Sequence, residues 1–197
     1  MPKLRFAMIC ASNVNRSMAC HAELQKHGFH VRSFGVGNSI KLPGKSAATP
    51  NVYEFGKATY EAILADLRAQ DPEFYARVGL EAMLERDARV KSAPERWHAA
   101  RGPADVFDVA LCFEERVMEQ LVEDMSSRVQ TAMRPLLVVN VDVKDSHEEA
   151  ARVAPQALAL CRALEACEGG WERGVDGALA EFERKFRRRA FYTVCFY

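Results

Sequence analysis

Apolar and polar positions along this chain change period repeatedly, and the changes divide it into short buried strands and amphipathic helices. Residues 4–10 are mostly apolar and run straight into a loop, the pattern of a parallel strand covered on both faces. Residues 17–27 read as a helix stopped by Gly28, and residues 29–34 as a second strand before the turn Gly35-Val36-Gly37. Together these form a β-α-β unit, whose crossover is right-handed in nearly all proteins. From about residue 51 to residue 101 the alternation breaks. Tyr60, Ile63, Leu64 and Leu67 recur at i, i+3, i+4 and i+7, which is one face of a helix. Asp71-Pro72 opens another helix with proline in its first turn, and Leu80, Met83 and Leu84 add a further stripe. No strand pattern is evident here, so the stretch predicts a helical insertion capping the sheet. Ser92-Ala93-Pro94 and Gly102-Pro103 mark its exit.

The alternation then resumes with a strand over 106–113, a helix over 114–125 and a strand over 136–141. Ser146-His147-Glu148-Glu149 has the form of a capping box and predicts a helix start. Pro155 should kink that helix or mark its true first turn. Gly169-Gly170 ends it, a last amphipathic helix runs to about residue 189, and the apolar residues 191–197 read as a strand. The expected fold is α/β, a mostly parallel sheet with helices on both faces. A single domain should span residues 1–197, with the helical cap inserted at about 51–101.

Composition narrows the function classes. Hydrophobic residues make up 49% and charged residues 27%, as in soluble globular proteins. Lys plus Arg equals Asp plus Glu at 27 each, so no overall field favours nucleic acid or an anionic membrane, and neither is expected as a direct partner. No apolar run approaches the roughly 20 residues needed to span a bilayer, and the first ten residues are too short a run for a signal peptide. An intracellular protein is expected, and its six cysteines therefore read as thiols. There is no CxxC pair, and His21, His27 and His30 lack a partner set with zinc-ligand spacing. They read as surface or helix-end residues, and neither metal nor cofactor is expected.

The candidate chemistry lies where the first strand meets the first helix, in Cys10-Ala11-Ser12-Asn13-Val14-Asn15-Arg16-Ser17. Hydrolysing a phosphate monoester without a metal needs an ionised nucleophile, donors for the phosphoryl oxygens and an acid for the leaving alkoxide. A helix N-terminus carries about half a positive charge, and such sites bring a thiol from about 8.5 into the range of about 3.5–7.5. Backbone N–H groups from Ala11 to Ser17 can form an anion nest, and Arg16 supplies a planar fork for two phosphate oxygens. Asn13 tolerates the left-handed backbone of a tight loop. Ser17 could donate to the thiolate or cap the helix. Cys167 to Arg173 repeats the Cys-x5-Arg spacing, but follows a helix, carries Glu168 and Glu172 where an anion would sit, and ends in Gly174, so it reads as chance. The bland alternative for Cys10 itself is a buried thiol at a strand end.

The loop resembles that of low-molecular-weight tyrosine phosphatases, Cys-x-Gly-Asn-x-Cys-Arg-Ser, in Cys10, Asn13, Arg16 and Ser17. Those enzymes take their acid from a late Asp-Pro-aromatic segment, which this chain lacks; its Asp71-Pro72 is followed by Glu73. The whole chain is more similar to the RNA polymerase II C-terminal domain phosphatase family. The shared segments include Ser12 to Met18, Val31 to Gly35, Lys41-Leu42-Pro43-Gly44, Pro50-Asn51-Val52-Tyr53 and Pro94-Glu95-Arg96. Glu114-Glu115-Arg116-Val117, Val138 to Asp142, Asp145, His147-Glu148-Glu149-Ala150 and Thr193-Val194-Cys195-Phe196-Tyr197 complete the set. That resemblance implies a metal-independent serine phosphatase working through a phosphocysteine, acting on heptad position five of the polymerase tail.

By the same similarity Asp145 is the general acid and Asp142 a neighbour that orients the loop. The alternative for Asp145 is a helix-start residue beside Ser146. The family recognises phosphoserine followed by a cis proline, a minor isomer of roughly 10–30% in disordered peptides. Its apolar pocket corresponds to Leu42, Pro43 and Met83, and plain helix packing explains Met83 equally well. A cleavage and polyadenylation scaffold partner, a role in mRNA processing and transcription termination, and a nuclear location, with the cytoplasm as a second compartment, are implied too. Val14, Ala19-Cys20 and Pro155 depart from the family pattern without removing a required donor. The basic run Arg184 to Arg189 reads as a solvated helix face. Two other readings stay open, a low-molecular-weight tyrosine phosphatase and a phosphopeptide-binding scaffold without turnover.

Overall fold

In the computed structural model, which describes residues 3–46 and 48–197, the first apolar run becomes strand β1 (Arg5–Cys10). The chain continues into helix α1 (Arg16–Lys26) and strand β2 (His30–Gly35), with Gly28 at φ +75° where the helix is left. Two short antiparallel strands follow, β3 (Ile40–Leu42) and β4 (Asn51–Tyr53). Next come helices α2 (Tyr60–Gln70), α3 (Pro72–Arg77) and α4 (Leu80–Val90), then β5 (Val109–Cys112) and α5 (Glu115–Ser127). Strand β6 (Pro135–Val141), helices α6 (His147–Glu165) and α7 (Trp171–Phe186) and strand β7 (Ala190–Phe196) complete the order.

The main sheet runs β2-β1-β5-β6-β7, parallel throughout except for β7, which pairs antiparallel with β6. Phe6, Met8, Leu111, Leu137 and Val139 meet Leu24, Val153, Leu160 and Leu164 on one face. On the other, Ile9, Ala110 and Val138 meet Val117, Leu121, Trp97 and Phe107. Each fully buried large side chain contributes about 1.5–3 kcal/mol, so covering both faces accounts for why the strands read as continuous apolar runs. The chain turns from β1 to β2 on one side of the sheet and returns as β5 on the other. The carboxyl ends of β1 and β5 therefore flank a topological switch point, the usual ligand crevice of such sheets.

Three expectations need correction. The stretch 51–101 does contain a strand, β4, whose three residues are too few to show a period. Its helices pack less on the sheet than on the loop after β1 and the start of α1: Val14 and Met18 join Tyr60, Ile63, Leu67, Met83 and Leu84 in one apolar cluster. Pro155 does not mark a first turn, because α6 begins at His147 behind its cap Ser146, which accepts from the Glu149 N–H. Pro155 sits on an exposed face inside that helix. The last helix stops at Phe186, with Arg187 at φ +53°. Among the described residues no helix is long and apolar enough to cross a membrane.

Candidate active site

Cys10 closes β1, paired in register with Gly35, and is almost completely buried. Two bonds continue that pairing into the loop, Val36 N–H to the Cys10 carbonyl at 3.0 Å and Gly37 N–H to the Ala11 carbonyl at 2.9 Å. Glycine is required at 35, since a Cβ there would lie 2.7 Å from the Ala11 oxygen and 3.1 Å from the Asn13 nitrogen. Asn13 takes φ +55°, as a tight loop between strand and helix demands. Asn15 precedes α1 without a side-chain capping bond, and the first turn holds no acidic residue. The positive end of the helix is thus left to a ligand rather than satisfied internally. Ser17 lies inside the first turn and is not the cap; its Oγ sits 3.0 Å from Cys10 Sγ, in keeping with the donor reading.

Arg16 is 97% buried and held from one side. Its Nη1 donates to the carbonyls of Phe113 at 3.2 Å and Val143 at 2.9 Å, the chain ends just past β5 and β6. The other edge is different. Nη2 meets the half-exposed carboxylates of Glu114 at 3.0 Å and Asp145 at 3.3 Å, and Nε is buried with no hydrogen-bond partner among the described residues. An Nε–Nη2 edge left unpaired or paired to exposed carboxylates has the geometry that suits bidentate binding of a phosphate. Asp145 Oδ1 also accepts from Asn15 Nδ2 at 2.8 Å, so the late acidic loop reaches the phosphate loop across 130 residues of sequence.

Above Cys10 opens a cavity of about 290 Å³. Leu42, Pro43, Val78, Leu80 and Met83 line it together with Asp145, Ser146 and His147. The structure thus brings Cys10, Asp145, Leu42, Pro43 and Met83 into one space. Met83 is 3% exposed and serves both readings, packing in the cap cluster while lining the cavity. His147 Nε2 donates to the Gly79 carbonyl and ties α6 to the turn before α4. Asp142 stands apart from the cavity, with its Oδ1 accepting from Asn140 Nδ2 at 3.1 Å. The second spacing match lies elsewhere: Cys167 is on the α6–α7 connection, near the Ala163 carbonyl, and Arg173 is within α7.

Several residues of the site give no local signal in the sequence. Glu114 braces Arg16, Tyr60 donates its hydroxyl to the Asn13 carbonyl at 2.6 Å, and Arg86 reaches the Val14 carbonyl at 3.0 Å. Tyr60 reads in sequence only as part of an apolar helix face. His21 corrects the surface reading of the histidines. It is buried and 2.8 Å from Ser33 Oγ, and burial, reinforced by nearby Lys91, pushes its pKa down to about 4. His27 and His30 are exposed. Arg188 is not simply solvated either; it donates to the Asp142 carbonyl and pairs with Glu149 at 2.9 Å, bracing the acidic loop. Among the described residues, no group of three His, Cys, Asp or Glu side chains is placed to hold a metal ion.

This combination of sheet, loop and cap recurs in known proteins. Residues 4–197 match the Ssu72-like protein family. The chain belongs to the Ssu72 family. It is 46% identical over 194 residues to the RNA polymerase II C-terminal domain phosphatase SSU72 of Gallus gallus and of Homo sapiens, covering 98% of this chain and 97% of each relative. The Caenorhabditis elegans relative is 42% identical over 196 residues, covering 99% of this chain and 98% of its own. A solved Ssu72 superposes with a TM-score of 0.93 at 39% identity over 99% of both chains. The Drosophila melanogaster Ssu72, solved with symplekin and a cis peptidomimetic of the polymerase tail phosphorylated on serine five, superposes with a TM-score of 0.92 at 38% identity, again over 99% of both chains.

Proposed function

We propose that this chain removes phosphate from serine in the heptad-repeat C-terminal domain of RNA polymerase II through a phosphocysteine on Cys10. The observation that carries the reading is one cavity lined by both Cys10 and Asp145, with the Asp145 carboxylate paired to Nη2 of Arg16 at 3.3 Å. The chain is a phosphatase of the polymerase tail, as its family membership supports. The Cys10 thiolate attacks phosphorus while the phosphorus–oxygen bond to serine breaks. The loop amides from Ala11 to Ser17 and the Nε–Nη2 edge of Arg16 hold the equatorial oxygens, and Asp145 gives its proton to the serine alkoxide. Water then attacks the phosphocysteine, with Asp145 taking a proton, and phosphate and the thiolate are released. Arg16 leaves Asp145 and Glu114 when phosphate arrives, which frees the acid as the substrate binds.

Leu42, Pro43 and Met83 receive the residue after phosphoserine, a cis proline, in keeping with the cis peptidomimetic bound by the Drosophila relative. In this reading the chain is one phosphatase domain, with residues of about 51–101 as a cap that builds the pocket. It works with a cleavage and polyadenylation scaffold in the nucleus; symplekin accompanies the Drosophila relative. The absence of an Asp-Pro-aromatic segment disfavours a tyrosine phosphatase, and the intact Cys10, Arg16 and Asp145 set disfavours a silent scaffold.

Phosphate release from heptad peptides tests the proposal. Peptides phosphorylated on serine five should be turned over, and peptides phosphorylated on tyrosine should be much poorer substrates. A tyrosine preference would support the tyrosine phosphatase reading, and binding without release the scaffold. Activity should survive chelators and be blocked by vanadate, because the loop and Arg16 stabilise the trigonal-bipyramidal charge. Activity lost on chelation and restored by a divalent metal would contradict this.

A further inference from the structure

Lys91, just past the end of α4, is a part-buried cation that the chemistry above does not use. Its Nζ donates to Asn13 Oδ1 at 2.7 Å, to the Ser33 carbonyl at 2.7 Å and to Glu95 Oε2 at 2.8 Å. Those three acceptors match the three donors of an ammonium group. Asn13 Oδ1 also accepts the Glu95 N–H at 2.9 Å. Neither an ammonium nor a peptide N–H can accept, so the Asn13 amide has one orientation, oxygen toward Lys91 and Nδ2 toward Ser17 Oγ at 3.1 Å. Nδ2 can only donate, which makes Ser17 Oγ its acceptor. The single hydroxyl hydrogen of Ser17 is then left for Cys10 Sγ, 3.0 Å away.

We propose that Lys91 is a positioning residue that, through Asn13 and Ser17, aims the Ser17 hydroxyl hydrogen at Cys10 and so favours its thiolate. A cation at the far end of such a chain polarises each link toward the sulfur. The cap thus sets the reactivity of the nucleophile as well as walling the substrate pocket. The inference rests on the reading of Cys10 as nucleophile. Around the thiol, burial raises the pKa values of Cys20 from α1, Cys112 from β5 and Tyr60 from α2, which keeps all three neutral. Arg16 stands at the mouth with Glu114 and Asp145, and Arg86 pairs with Asp87 on α4. Facing Lys91 are Glu95, Arg32 and Asp87, with His21 beyond.

Alkylation of Cys10 by iodoacetamide across pH, read by the mass of its peptide, reports the thiolate without any turnover. In Lys91→Gln the midpoint should rise by about one pH unit, about tenfold less thiolate at a fixed pH below it. In a Ser17→Ala background the same replacement should add almost nothing. Glu95→Gln removes the anion beside Lys91 and should move the midpoint down, a test that stands even if Lys91→Gln does not fold. An unchanged midpoint in Lys91→Gln, an equal rise with and without Ser17, or a rise in Glu95→Gln would each overturn the inference. A protein that shows the predicted alkylation pattern but releases no phosphate would instead sink the proposed function alone.

Discussion

Replacing Cys10 by serine should abolish phosphate release while the fold and phosphate binding survive. The substitution changes one buried atom at the end of β1, leaves the pairing with Gly35 untouched and keeps the loop amides and Arg16 in place. What it removes is the nucleophile, because a serine hydroxyl is too weakly acidic to ionise in this nest, and among the described residues the side chain bonded to position 10 is the Ser17 hydroxyl, which is no base. Turnover should fall below detection, read as phosphate release from the serine-five peptide, with circular dichroism and peptide binding unchanged. Full activity of Cys10→Ser would end the mechanism. Cys167→Ser is the control: that thiol lies at the α6–α7 connection beside the Ala163 carbonyl, and burial raises its pKa. Activity should be nearly intact there, and a comparable loss would mean that the wrong loop carries the chemistry.

Asp145→Asn should have the second-largest effect, and it should depend on the leaving group. A serine alkoxide is strongly basic, so its departure needs a proton in the transition state, an effect of typically about 10²–10⁴-fold. An aryl phosphate such as p-nitrophenyl phosphate leaves as a much weaker base and needs that proton far less. Turnover of the phosphoserine peptide should therefore fall much further than turnover of the aryl ester. Asparagine preserves the size of the side chain and an oxygen for the Asn15 bond, so the loop should stay in place. Asp142→Asn should do less, since among the described residues that carboxyl bonds only to Asn140 and it lies outside the cavity lining. Equal losses on both substrates would demote Asp145 to a helix-start residue beside Ser146.

Much of this site is legible in the sequence because its parts sit where local periodicity changes. The run from 4 to 10 and the helix after it place Cys10 at a strand end and Arg16 at a helix start from pattern alone. Asp145 follows a late parallel strand, and parallel strands end on one edge. What stays hidden depends on contacts between residues far apart in the chain. Lys91 meets Asn13 across 78 residues and Glu95 meets it across 82, and the residues between carry no pattern that says so. Tyr60 and His21 escape a local reading for a related reason. A side chain's apolar body decides its place in a helical stripe, while its polar tip finds a partner on another element, the Asn13 carbonyl for one and Ser33 for the other. The strand β4 is invisible to periodicity because Asn51-Val52-Tyr53 is shorter than one clear alternation and is held by its pairing with β3.

The central claim is a covalent phosphoryl group on Cys10, and trapping it is the most direct test. Asp145→Asn should slow hydrolysis of the intermediate, while an aryl phosphate still loads it readily. A rapid denaturing quench during turnover of p-nitrophenyl phosphate by that variant, followed by peptide mass mapping, should find one added phosphoryl group on the peptide containing Cys10. The same quench of the Cys10→Ser variant should find none. Phosphate attached to any other residue, or steady release of phosphate with no covalent species on Cys10, would contradict the account.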